Sequence, residues 1–136
     1  VKAWQLANPE KRKAQYKRTY EGLRADIARW AASNLRGSRA YCKKRGLDCT
    51  ITGHDIAGLF ESQNGRCALT GRQLIFGSRG QQRDSMSIDR IDAAKGYVLG
   101  NVRLVTYQAN MARGMFSDDE LFSFCVAVIE TKETML

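Results

Sequence analysis

Residues 87–110 read SIDRIDAAKGYVLGNVRLVTYQAN. Met86 to Ile91 has the composition of a strand, and Asp92 to Gly100 is a loop containing two glycines. Val102 to Thr106 suits a second strand, with Val102, Leu104 and Thr106 inward against Arg103 and Val105. A short helix follows over Tyr107 to Arg113 and stops at Gly114. Asp89 falls on the first strand and Asn110 on the helix, 21 residues later. A hairpin folded against a helix can bring those two side chains together. A carboxylate oxygen plus an amide oxygen suits a hard divalent cation, Mg²⁺ or Mn²⁺, with water and phosphate completing the shell. So few protein ligands leave coordination positions open, which phosphodiester cleavage needs.

Working outward, Ser117-Asp-Asp-Glu120 is a capping box that starts a last helix. Its expected buried face is Leu121, Phe122, Cys125, Val126, Val128 and Ile129. Upstream, Gly77 to Ser85 reads as a polar loop and Cys67 to Phe76 as a short strand or tight turn. Asn64-Gly65 marks a turn, and Gly53 to Gln63 a helix with Ile56, Leu59 and Phe60 inward. Near the start, Asn8-Pro9 is an N-cap and first helical position. Tyr16, Tyr20, Leu23, Ile27 and Trp30 form one apolar stripe expected to be core. Ser33, Asn34 and Gly37 suggest a break, and a second helical stretch reaches Arg45 before Gly46.

Charge is divided unevenly. Residues 1–48 hold 13 Lys+Arg and 4 Asp+Glu, whereas residues 49–136 hold 9 and 10. The formal charge of +8 therefore belongs to the N-terminal third, which favours a polyanionic partner through counterion release. Lys43, Lys44 and Arg45 read as a backbone-contact patch, because clustered lysines sense charge rather than base identity. With 43% hydrophobic and 26% charged residues the chain is neither a disordered tail nor a fibre. Its longest purely apolar run, Phe124 to Ile129, is too short to span a bilayer, and Val1 to Lys13 lacks the apolar block of a secretory signal. Cys42, Cys49, Cys67 and Cys125 contain no C-x-x-C pair. They read as thiols of a reducing, intracellular, cytoplasmic compartment.

The combination of Gly65-Arg66-Cys67-Ala68-Leu69-Thr70-Gly71, Ile88-Asp89-Arg90-Ile91-Asp92, Lys95-Gly96-Tyr97, Gly100-Asn101-Val102 and Asn110 resembles the HNH, or ββα-metal, nuclease superfamily. The likeness runs over roughly residues 47–129 and is nearest to phage HNH proteins of the endonuclease VII type. It implies an α+β fold, mainly helical, in which a central hairpin-helix unit carries a basic helical extension. Residues 1–48 would be that DNA-binding extension and residues 49–136 the nuclease domain. By resemblance Asp89 and Asn110 hold the metal. Asn101 is the middle Asn of the motif, hydrogen-bonding across the loop. Many members knit the hairpin to its surroundings with two C-x-x-C pairs. The matching positions here are Cys67, Thr70, Thr106 and Ala109, so no structural zinc is expected.

Where the family usually has a general-base His, this chain has Arg90. A guanidinium with a pKa of about 13 does not abstract protons at neutral pH. It suits instead a phosphate clamp that stabilises transition-state charge. Asp92 shares a strand face with Arg90 and is a salt-bridge partner, an outer-sphere group or a loop cap. His54, the one imidazole, is a candidate base or a surface residue. Arg103 alternates outward and is a candidate phosphate contact. The expected function is a metal-dependent endonuclease that nicks or cuts DNA. The alternatives are an HNH fold that binds nucleic acid after losing catalysis, and an interaction protein that docks its basic helices on an acidic partner.

Overall fold

The computed structural model describes residue 3, residues 7–77 and residues 81–136. Residues 78–80 of the loop expected over Gly77–Ser85 lie outside them. Among the described residues four helices, α1 (Pro9–Arg45), α2 (Gly53–Ser62), α3 (Tyr107–Arg113) and α4 (Asp118–Thr134), accompany a two-stranded antiparallel sheet of β1 (Met86–Arg90) and β2 (Val102–Thr106). The fold is α+β and mainly helical. No helix among the described residues is long and apolar enough to cross a membrane.

The register pairs Met86 with Thr106, Ile88 with Leu104 and Asp89 with Arg103. Side chains alternate between the two faces of a strand. One face therefore carries Ile88, Leu104 and Thr106 toward the main core. The other carries Ser87, Asp89, Arg103 and Val105 toward α3. Val105 is fully buried, not outward as expected, because α3 covers this second face. The free edge of β2 is closed by a side chain standing in for a strand. Gln63 donates Nε2 to the Leu104 carbonyl at 2.8 Å and accepts the Leu104 N–H on Oε1 at 3.0 Å.

α1 is one uninterrupted helix of 37 residues. The expected break at Ser33-Asn34-Gly37 does not form. Asn34 returns its side-chain amide to the Trp30 carbonyl, and Ala31 and Leu35 are fully buried on either side. That burial outweighs the roughly 1 kcal/mol that an interior Gly costs a helix. The apolar stripe is core only in its second half. Ile27 is buried and Trp30 packs on the core, whereas Tyr16 is 72% exposed and Tyr20 and Leu23 are each 39% exposed. Ile27, Ala31 and Leu35 share one cluster with Ile51, Ile56, Ala57, Leu104 and Val105.

α4 differs most from expectation. Its capping box forms as read, Ser117 with Glu120. Yet only Leu121 of its expected buried face is buried, and Phe122, Phe124, Val126, Val128 and Ile129 are all more than half exposed.

Two glycines mark backbone crossings. A Cβ on Gly53 would stand 2.3 Å from the Ala28 carbonyl oxygen, where α2 meets α1. A Cβ on Gly96 would stand 1.8 Å from the Asp48 carbonyl oxygen, where the β1–β2 loop meets the α1–α2 linker. Tyr97 N–H donates to that same Asp48 oxygen, and Thr50 and Ile51 N–H donate to the Tyr97 carbonyl. Neither backbone can move freely. Gly96→Ala should therefore lower unfolding free energy by about 3 kcal/mol. Gly37→Ala, in open space on α1, should raise it by up to about 1 kcal/mol. Urea denaturation of the two variants checks the pair; equal effects would refute the close crossing.

Candidate functional site

The site is built on the α3-facing side of the hairpin. Asp89 is 5% exposed, and both its oxygens are engaged. Arg103 Nε donates to Oδ2 at 2.9 Å from the neighbouring strand, and an Arg113 terminal nitrogen donates to Oδ1 at 2.7 Å from α3. Arg103 also grips Asp118 with two bonds of 2.6 Å, and Arg113 Nε lies 3.4 Å from Asp118. A further Arg113 nitrogen donates to the Ile91 carbonyl at 2.7 Å. Two carboxylates and two guanidiniums thus alternate around a neutral ring that joins β1, β2, α3 and the root of α4.

Asn110 stands one helical turn before Arg113. Its Nδ2 donates to Ser87 Oγ at 2.7 Å. Ser87 and Asp89 share a strand face, as Asn110 and Arg113 share a helix face. The α3 face carrying Asn110 and Arg113 therefore lies over the β1 face carrying Ser87 and Asp89. With its NH₂ group directed to Ser87, the amide presents Oδ1 as its remaining acceptor. Each Asp89 oxygen keeps a further lone pair beyond its guanidinium bond. In donor chemistry Asp89 and Asn110 fit a hard divalent cation, one that would share Asp89 with two guanidiniums. Among the described residues no group of three or more His, Cys, Asp or Glu is arranged to hold a metal.

Arg90 is placed on the opposite face of β1, with the core side of the sheet. Its guanidinium donates to the carbonyls of Ala93 and Lys95 and to the Tyr41 hydroxyl, all at 3.1 Å. It also lies 4.8 Å over the Tyr41 ring and 5.2 Å over the Tyr97 ring. Burial opposes its charge, but the Tyr41 hydrogen bond and the neighbouring Tyr97, Tyr41 and Cys42 outweigh burial and raise its pKa above the ordinary value. Arg90 therefore stays cationic and ties the loop to α1. This differs from the phosphate clamp expected of it, because consecutive strand residues point to opposite faces.

The loop itself is shaped by Asn101. Its Oδ1 accepts the Asp92 N–H at 2.9 Å, and its Nδ2 donates to the carbonyls of Asp92 and Gly96. Asp92 caps the same loop, accepting the Ala94 N–H at 2.9 Å, and makes no salt bridge to Arg90. His54 is exposed in the first turn of α2 and takes no part in these bonds. Lys43, Lys44 and Arg45 are exposed in the last turn of α1, with the Arg45 guanidinium 3.8 Å over the Tyr41 ring. Arg103 is not the outward phosphate contact expected. Alternation placed it on the second face, which α3 covers and where Asp118 at the start of α4 meets it.

The positions matching the family's C-x-x-C pairs come together here. Cys67 Sγ accepts the Thr106 N–H at 3.3 Å, and Thr106 Oγ1 accepts the Ala109 N–H at 3.1 Å. Burial pushes the Cys67 thiol up, but hydrogen bonds from the Thr70 side chain and from nearby backbone outweigh it and hold its pKa below the ordinary value.

Arg113 and Asp118 are the participants that sequence reading missed. Arg113 carried a usable signal, its spacing of three from Asn110. Asp118 carried none, since an acid in a first helical turn is already accounted for by the helix dipole. Comparisons with protein-family models, with curated proteins and with solved structures find no match to the chain.

Two measurements test this geometry. Removing Arg90 deletes three hydrogen bonds from a cation and both ring contacts, so Arg90→Ala should destabilise the fold by about 2–3 kcal/mol in urea. An unchanged midpoint would dismiss its positioning role. Asp118 supplies a pH signature. Its carboxyl is held below the ordinary value by hydrogen bonds from Arg103, against burial, with added attraction from Arg103 and Arg113. A depressed folded pKa contributes stability fully above the unfolded value of about 4, and loses it as pH falls through the folded value. The stability gap between the natural chain and Asp118→Asn should accordingly be constant near neutrality and shrink as pH falls below about 4. A gap independent of pH would show that Asp118 is not held in this way.

Proposed function

We propose that the chain is a metal-dependent DNA endonuclease of the HNH type, with Asp89 and Asn110 as the cation-holding pair. The observation that carries this reading is the seating of Asn110 on Ser87, which sets the amide above the strand face that bears Asp89. Support also comes from Asn101 closing the hairpin loop, and from the gathering of Cys67, Thr106 and Ala109 where the family places its thiols.

Bound there, Mg²⁺ or Mn²⁺ supplies Lewis acidity toward a phosphodiester and charge for the departing oxygen. The chain's own residues do the remaining work. Ser87 fixes the rotamer of Asn110 and so aims its carbonyl oxygen. Arg103 and Arg113 hold Asp89 in one orientation and supply positive charge beside the developing negative charge of a phosphate. Arg90, bound to the loop and to Tyr41, positions the hairpin against α1 rather than touching substrate. Lys43, Lys44 and Arg45, anchored near the hairpin through Tyr41, bind the DNA backbone without reading sequence. No residue of the site provides an imidazole base; a cation held by Asp89 and Asn110, or a substrate phosphate, would supply that function.

A second reading, a nucleic-acid-binding module without catalysis, is favoured by the occupation of both Asp89 oxygens by guanidiniums. Supercoiled plasmid separates the two. With Mg²⁺ or Mn²⁺ the natural chain should yield nicked or linear DNA. Asp89→Asn and Asn110→Ala, each verified as folded by circular dichroism, should cut the rate by about a hundredfold or more. Undiminished cleavage by either variant refutes the assignment of that ligand. DNA binding that weakens steeply with salt, with no cleavage by the natural chain, selects the binding module instead.

A further inference from the structure

α4 and the first half of α1 are complementary, and neither is covered among the described residues. On α4, Phe122, Phe124, Val126, Val128 and Ile129 stand 52–55% exposed. At 100° per residue they span, with Leu121, an apolar arc of about half the helix circumference. Such an arc on an isolated helix calls for a cover. Besides Asp118, which is already paired with Arg103 and Arg113, α4 carries four acids, Asp119, Glu120, Glu130 and Glu133, against Lys132. The first half of α1, from Pro9 to Arg24, carries six Lys+Arg against two Glu. It also presents Tyr16, Tyr20 and Leu23, the exposed continuation of the core stripe. Tyr20 and Leu23 open into a groove of about 570 Å³ between α1, α2 and the following turn, floored by Ile27, Phe60 and Leu74. The groove is apolar at its base; Arg24, ion-paired with Glu61 of α2, and Arg66 line it, and the other basic residues of this half of α1 lie N-terminal to it on the same helix.

We propose that two copies of this chain form a two-fold dimer in which α4 of each copy lies in the α1–α2 groove of the other. The charge pattern selects this pairing over α4 against α4, which would bring two acidic helices together. One two-fold axis generates the contact twice, so the assembly closes instead of growing into a filament. Asp118, held by Arg103 and Arg113, fixes the direction in which α4 leaves its own body. This inference stands independently of the nuclease reading, and its test needs neither metal nor DNA.

Sedimentation velocity of the full chain at low salt should show a dimer whose dissociation constant rises with salt. Phe124→Asp with Val128→Asp should weaken it by about tenfold or more, and so should Tyr20→Glu with Leu23→Glu on the groove side. Mixing the two variants leaves one natural α4 facing one natural groove, so the mixture should associate more tightly than either variant alone. A monomeric natural chain at high concentration overturns the proposal. So does a dimer that the groove variant leaves intact, or a mixture no tighter than its components, since α4 would then pair with itself. Melting temperatures of the groove variant, whose changes lie on exposed positions of a long helix, distinguish lost association from lost folding.

Discussion

A carboxylate removed from water needs countercharge, and Asp89 obtains it twice. Stripped of Arg103 and Arg113, its charge would be strongly destabilising at 5% exposure. With them, and with Asp118 completing the alternation, the cluster is neutral and most of its donors and acceptors are matched. Buried ionic clusters contribute little net stability, since desolvation offsets most of the attraction. What they contribute here is geometry. Slipping β1 by one residue against β2 would turn Asp89 to the other face, away from Arg113. The same cluster holds α3 on the sheet and sets where α4 begins, so the register, the helix over the hairpin and the exit of the last helix share one set of bonds.

The adjacent residue solves a different problem. Arg90 points to the α1 side, where its donors serve loop carbonyls and a tyrosine hydroxyl, and its flat cation rests between two rings. Together with Asn101 inside the loop and Gly96 against Asp48, it locks the hairpin tip to the α1–α2 linker. One strand thus presents an anion to α3 and a cation to α1. Exchanging the two would leave both without partners, which gives the Asp-Arg order a structural meaning besides any chemical one.

Local signals were legible in the sequence. The hairpin, the helix over Tyr107–Arg113 and the capping box at Ser117 all rest on turn chemistry and short periodicity, and the chain obeys them. What could not be read was cover. Periodicity says that Tyr16, Tyr20 and Leu23 lie on one helix face, not that burial on that face begins only at Ile27. Alternation says that Arg103 leaves the main core, not that α3 and α4 wait on the other side. Gly37 looked like a break because its local cost is visible, whereas the burial of Leu35 that overrides it is tertiary. The Asp89–Arg113 pair, 24 residues apart, exists only after the hairpin has folded under the helix.

The neutral cluster also bears on how the proposed site would admit a cation. Competition at Asp89 is with guanidiniums, not with water, so binding strength depends on which arginine can yield. The two are not equivalent. Arg103 keeps a bidentate grip on Asp118 when it gives up its single Nε bond to Asp89, whereas Arg113 has just the Ile91 carbonyl and a longer approach to Asp118 to fall back on. A nucleic-acid phosphate would offer the released Nε–H a charged acceptor. Cation and polyanion would then support one another's binding at the same carboxylate: the first relieves Asp89 of its need for an arginine, and the second gives that arginine somewhere to go.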